Sequence, residues 1–374
     1  MTPKPEKILF TGDFLRPAAG TFRPTQHENI RWLAHLLDVP VRMATGLPSD
    51  IVVWDDRWKN QALFDKATIE SIYNAFWLEP GIESWPQVYS AQTLPGPVEA
   101  LLTRIFRGSF VIGFEMPPML VHFLHRQGIA YVDCALSPVR FMNDLLFGLS
   151  ASGSDMLRAM QPHGVPRGLQ ELEAGIVSAH VAKLYPDPPL PNSLLVVMQT
   201  SYDKALIEGR RFVDLLDHLE ELKTLAMQYS NTLIKHHPIE PQHEICNTLL
   251  RCLPNASLTE ENFYRLVAHP NVDGVAALSS SCVHEAGYFG KRQHILMAGV
   301  DFETSAVGSD VLDIGDAIMM PDFWRDVLAA ANLDVTEKDG LSLPSKPNRF
   351  RLQHRTAWGY NQIDTDIAVA WAHG

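Results

Sequence analysis

The chain has 374 residues, 46% hydrophobic and 20% charged, with a formal net charge of -12. That length and balance suit two domains with sizeable cores and exclude general disorder. The acidic balance excludes a nucleic-acid binder working through a basic footprint. No uninterrupted apolar run reaches the ~18 residues of a membrane span. The first seven residues are polar, carry Pro3 and Pro5, and have no apolar signal core, so a cytoplasmic place is expected. Cys134, Cys246, Cys252 and Cys282 form no Cys-x-x-Cys pair. This argues against a zinc or redox motif and for free thiols in a reducing compartment.

In chain order, Lys7–Phe10 reads as a first strand ending in Thr11-Gly12-Asp13, with Asp13 either holding the turn or contacting substrate. Gln26–Leu37 is expected helical through Ile30, Leu33, Leu36 and Leu37. Asp50–Trp54 reads as a strand, and 65–77 as a helix through Ile69, Ile72 and Phe76. A helix after Pro95-Gly96-Pro97 leads to a buried strand, Ser109–Gly113, with Phe114-Glu115 at its end. Met119–His125 is a helix and Ala130–Asp133 a strand. This alternation predicts a first Rossmann-like half.

Helices are predicted over Phe141–Leu149 and Gly168–Leu184, the second with Leu169, Leu172, Ile176 and Val177 among its apolar positions. Pro186, Pro188, Pro189 and Pro191 then make a stiff connector. The domain boundary is placed there: 1–188, then 189–335, then a tail, 336–374. The tail begins with a loop containing Pro344 and Pro347 and ends in a helical pattern through Ile363, Ile367 and Trp371. It is expected to pack back on the first domain.

The second half carries three apolar segments, each stopping in ligand-suited residues. Leu194–Met198 ends in Gln199-Thr200-Ser201-Tyr202-Asp203. Leu233-Ile234 runs into Lys235-His236-His237-Pro238. Gly274–Leu278 ends in Ser279-Ser280-Ser281, before a helix from near Val283 that carries Glu285. Between the first two, Phe212, Leu215, Leu216, Leu219, Leu222 and Leu225 fall on one helical face. Strand–helix repetition predicts a parallel sheet with its ligand beyond the carboxyl ends of the strands. His294–Met297 is a further strand and Asp322–Ala331 a helix. A serine pair at a helix N-terminus favours an anion, and His237 and Lys235 add donors. The set suits a nucleotide phosphate. A P-loop and a Gly-x-Gly-x-x-Gly turn are both absent.

In these motifs the chain resembles bacterial retaining β-Kdo transferases, which use CMP-Kdo, and it shares the His-Pro and Ser-Ser motifs with bacterial sialyltransferases. The resemblance covers about residues 190–300 and extends weakly to Gly113-Phe114-Glu115 and Pro138-Val139-Arg140-Phe141. One departure is His236, where related capsule enzymes tend to have proline. The resemblance implies an α/β fold of two Rossmann-like domains, GT-B-like. It implies transfer of Kdo to a bacterial surface glycan, capsule or O-antigen, on an oligosaccharide or lipid-linked acceptor. Asp203 would be the nucleophile and Glu115 the acid/base. Gln199, Lys235, His237, Ser280, Ser281 and Glu285 would bind the donor, with no metal and no cofactor beyond the CMP-sugar substrate. A peripheral contact at the inner face of the cytoplasmic membrane goes with such an acceptor.

Plainer readings stand beside these. Asp203 could be a helix N-cap, His237 a turn residue, Ser280 and Ser281 a simple cap, Glu285 a first-turn dipole partner, and Glu115 a loop holder. Two other functions remain open: an inverting sialyltransferase-like enzyme, and a non-catalytic nucleotide-sugar-binding subunit.

Overall fold

The computed structural model describes residues 4–17, 26–53, 65–184, 188–237, 240, 242–305, 308, 310–341 and 348–358. The chain divides into two α/β units. One takes residues from 1–137, 145–165 and 303–360, and the other those from 138–144 and 166–302.

In the first unit, β1 (Lys7–Gly12) lies between β2 (Ser49–Ile51) and β3 (Ser109–Phe114), all parallel. β4 (Tyr131–Leu136) continues in parallel beside β3, and β5 (Phe147–Ala151) turns back antiparallel to β4. Ile8, Leu9 and Phe10, like Phe110, Val111 and Ile112, are buried on both pleat faces, as parallel strands covered on two sides require. Helices Gly96–Phe106 and Pro118–Arg126 seal one face with Leu102, Phe106, Leu120 and Phe123. Helix Gln26–Thr45 runs two turns past Leu37 because Val41 and Ala44 prolong its buried stripe, even through Pro40.

The second unit is built on β6 (Ser193–Val197), a hairpin of β7 (Ile207–Glu208) and β8 (Arg211–Phe212), then β9 (Asn231–Lys235), β10 (Ala256–Thr259), β11 (Val272–Ala277) and β12 (Arg292–Ile295). Its five-stranded sheet has the order β10-β9-β6-β11-β12 and is parallel throughout. Leu194, Val196, Ile234 and Ala276 point to the face covered by Leu222 and Leu249. The chain then supplies β13 (Leu312–Ile314), which pairs antiparallel with β5 and completes the first sheet. Both units are Rossmann-like.

The observed elements depart from the sequence expectations in several places. The helix expected over Phe141–Leu149 is an irregular segment followed by β5, whose residues gain a partner strand and burial on both faces. Only Leu219–Ala226 of the expected Phe212–Leu225 helix is helical. Upstream of it, Gly209 and Arg210 both have positive φ and close the β7–β8 hairpin. Asp214 Oδ1 accepts from Leu216 N at 2.7 Å, a side-chain bond that competes with helix formation. The chain also changes unit away from the proline-rich stretch. Helix Arg167–Leu184 belongs to the second unit, and β13 with helix Pro321–Ala330 belongs to the first. Short-range composition carries no mark of such long-range pairing.

The described part of the tail, helix Arg349–Trp358, packs in the first unit, with His354 edge-on to Trp32 at 5.4 Å and Phe350 against Phe147 at 5.3 Å. Trp54, Pro186, Pro238, Pro344, Pro347, Ile363, Ile367 and Trp371 lie outside the described residues. Among those residues, no helix is long and apolar enough to cross a membrane.

Gly12 pairs with Phe114 across β1 and β3, and a Cβ there would strike the Phe114 carbonyl and the Ile30 side chain. Gly12→Ala should therefore destabilise the first unit by roughly 1–3 kcal/mol, read as a lower urea midpoint. An unchanged midpoint would show that the strands have room to part.

Candidate functional site

In the second unit the chain leaves β6 toward β9 on one side and reaches β11 on the other. The strand ends separate there, and a crevice for ligand lies beyond such a switch point in open α/β sheets. Gln199 and Ser279, just beyond β6 and β11, close on each other: Gln199 Nε2 donates to Ser279 Oγ at 3.1 Å, and Ser279 N donates to Gln199 Oε1 at 2.9 Å. The Ser279 hydroxyl donates in turn to Ala205 O. The loop beyond β9 joins them, with Ser201 N donating to Glu240 Oε1 at 3.2 Å and Gln242 Nε2 to Ser201 Oγ at 2.9 Å. Three segments distant in sequence thus meet at one end of one sheet. Gln199 spends its amide on Ser279, so its direct role is to position this junction.

Asp203 stands half-buried in that junction. Its Oδ1 accepts from Ala205 N at 3.0 Å, so it does cap the short turn Lys204–Leu206. The preceding Tyr202 holds a φ of 57° with its ring edge-on to Phe212 at 5.3 Å. A non-glycine side chain in that region costs energy, and the neighbours must hold it there.

The pleat of β9 separates its last residues. Ile234 and His236 face the side of helix His243–Cys252, where His236 packs edge-on to His243 at 5.6 Å. Lys235, the last residue of β9, falls on the opposite side, and His237 lies two residues beyond the strand. His237 is half-buried, and its carbonyl accepts from Glu240 N at 3.2 Å. Helix Ser281–Tyr288 begins two residues before the expected Val283. Ser280 is its N-cap, with Oγ accepting from Cys282 N at 3.3 Å, and Ser281 is its first residue. A hydroxyl that accepts this bond keeps its own proton to donate.

Burial pushes the Cys282 thiol up to about 12, and the nearby Glu285 adds to the shift; the Ser280 bond, Lys235 and Arg140 oppose it. Lys235 and Arg140 are the two cations whose charge acts on Cys282 at the start of this helix. Arg140 was legible only as part of the Pro138–Phe141 resemblance, and no local pattern marked Ser279, Glu240 or Tyr264 as partners.

Glu285 differs from the expectation. It is on the second turn, 1% exposed, and does not cap the helix. Its Oε1 accepts from Arg140 N at 2.7 Å and from Tyr264 Oη at 2.8 Å. It therefore ties the Pro138–Asp144 segment to the helix, while Phe141 fills a ring cluster with Tyr264, Tyr288 and Phe289. Burial raises its carboxyl to about 7 against the lowering effect of those bonds and of Arg140.

In the first unit the corresponding switch point lies between β1 and β3. Asp13 is buried there and accepts from Trp85 Nε1 at 2.9 Å, which holds the turn. Glu115, half-buried at the end of β3, has a φ of 49° and donates its N–H to Cys134 O at 3.0 Å. Asp133 supports the same loop by accepting from Met116 N at 3.0 Å. Among the described residues, no group of three or more His, Cys, Asp or Glu is placed to hold a metal.

Because Glu285 titrates at about 7 when folded rather than near 4.5, the folded chain retains a proton that the unfolded chain releases between those values. Stability should fall as pH rises through that window, by up to about 3 kcal/mol. Glu285→Gln keeps an acceptor for Arg140 N and Tyr264 Oη but cannot ionise. Thermal melts from about pH 5 to about pH 8 should fall less steeply in that variant, and parallel profiles would contradict this.

No protein-family model matches the chain, and no curated protein does. Among solved structures it is similar to Thermosulfurimonas dismutans KpsC, beta Kdo 2,7 transferase, at 14% identity, over 56% of this chain and 73% of that one, with a TM-score of 0.34. A likeness of this degree carries no argument about activity.

Proposed function

We propose that the chain is a glycosyltransferase that takes Kdo from CMP-Kdo and passes it, with retention, to a hydroxyl of a bacterial surface glycan. The observation that carries this reading is the meeting of the segments after β6, β9 and β11 at the switch point of the second sheet. There a half-buried carboxylate, a histidine and a serine-capped helix start belong to adjoining strand ends. Two Rossmann-like units in one chain suit a GT-B-type transferase.

In the proposed reaction an Asp203 oxygen attacks the anomeric carbon, forming an ester as the bond to the phosphate oxygen breaks. CMP leaves with the electron pair as an anion. The N–H groups at the start of helix Ser281–Tyr288, the Ser280 and Ser281 hydroxyls, His237 and Lys235 stabilise that charge. The acceptor hydroxyl then attacks the same carbon, its proton passes to Glu115, and the ester bond breaks. Two inversions give retention. Gln199 positions the junction, and Glu285 sets the helix rather than touching the sugar. The acceptor is an oligosaccharide or a lipid-linked glycan, met by a peripheral contact at the inner face of the cytoplasmic membrane.

Glu115→Gln should slow the second step, so that CMP-Kdo without acceptor leaves one added Kdo mass on the Asp203 peptide. Asp203→Asn should carry no adduct and lose on the order of 10³-fold or more in turnover. No adduct in any slowed variant, together with normal turnover in Asp203→Ala, would reject the double displacement.

A further inference from the structure

Helix Arg167–Leu184 turns an unusual face to solvent. Gln170, Ala174 and Val181 are buried. The opposite arc carries Leu169, Leu172, Gly175, Ile176, Ala179 and Ala182, all exposed. The three bulky residues are 42%, 59% and 49% exposed in that order. Gly168 and Lys183 end the arc, and only Lys183 is charged. Ordinary surface helices keep polar residues there. Glycine weakens a helix interior, yet a Cβ at Gly168 or Gly175 would meet nothing within 4 Å. The unit's own packing therefore does not call for either glycine.

We propose that this face docks on the same face of a second copy of the chain, the two helices antiparallel about a two-fold axis between Gly175 and Ile176. The order of residues argues for that occupant. An isologous contact requires that where residue i faces j, j also faces i. In this pairing Leu169 shares a layer with Ala182 of the partner subunit, Leu172 with Ala179 of the partner subunit, and Ile176 with Gly175 of the partner subunit. Every layer holds one bulky and one small residue, the interdigitation that close helix packing needs. A parallel pairing in register would set leucine on leucine and glycine on glycine, crowding some layers and emptying others. Charge does not oppose the contact: Glu171 is paired with Arg167 at 3.1 Å along its own helix. One helix pair of this length stays below the ~1,600 Å² of a standard interface, so the dimer is weak and concentration-dependent.

Sedimentation of the full chain across the micromolar range tests this. The native chain should pass from monomer to dimer as concentration rises. Leu172→Glu and Gly175→Leu should both remain monomeric with unchanged circular dichroism, because both sites are open to solvent. Under mild oxidation, Ile176→Cys should cross-link far more than the native chain. Leu169→Cys should not, since those positions would lie about 20 Å apart along the axis. A native chain monomeric throughout the range overturns the proposal. So does dimerisation only after removal of residues 359–374, which would make the chain's own tail the occupant. A dimer that survives both substitutions, or equal cross-linking at 169 and 176, overturns it as well.

Discussion

The amide of Gln199 gives both its donor and its acceptor to Ser279, and the geometry of the second unit's candidate site depends on that pair. β6 and β11 are neighbours whose chains lead away in different directions, so their ends have no reason to stay closed. A side-chain amide that bonds a backbone N–H and a hydroxyl on the same residue fixes distance and orientation together. Ser279 then passes the constraint to Ala205, two residues beyond Asp203 in the chain. The carboxylate is held by a bonded loop and a left-handed Tyr202, not by its own cap alone.

The second constraint is electrostatic. Helix Ser281–Tyr288 offers its positive end at the junction, while Glu285 lies buried one turn further in. A buried carboxylate is tolerated only if hydrogen bonds meet it. Arg140 N and Tyr264 Oη supply them, and the raised titration point records the remaining cost. The return is positional, since the same oxygen joins the helix, the Tyr264 helix and the Pro138–Asp144 segment.

Much of this is legible in the sequence, for reasons that are local. Parallel strands buried on both faces read as apolar runs, so β1, β3, β6 and β11 stand out, and the polar residues that end them mark the ligand side. Ser280 before a helical pattern reads as a cap and is one. What stays hidden depends on distant partners. Phe147–Ala151 becomes a strand because β4 and β13 pair with it. The return of β13 and helix Pro321–Ala330 to the first unit leaves no composition signal. Glu285 is a plausible first-turn acid until Tyr264 and Arg140, 21 and 145 residues away, are seen to claim it. Helix Arg167–Leu184 turns Leu169, Leu172 and Ile176 to solvent, because the fold buries its Gln170, Ala174 and Val181 face.

In the proposed reaction the junction beyond β6, β9 and β11 receives the departing nucleotide. A crystal structure of the chain soaked with cytidine monophosphate measures this directly. Phosphate density is expected between His237 and the Ser280–Ser281 turn, with the Asp203 carboxylate open on the side where the sugar would lie. Nucleotide bound with its phosphate elsewhere, or an Asp203 turned away from the bound phosphate, would contradict it.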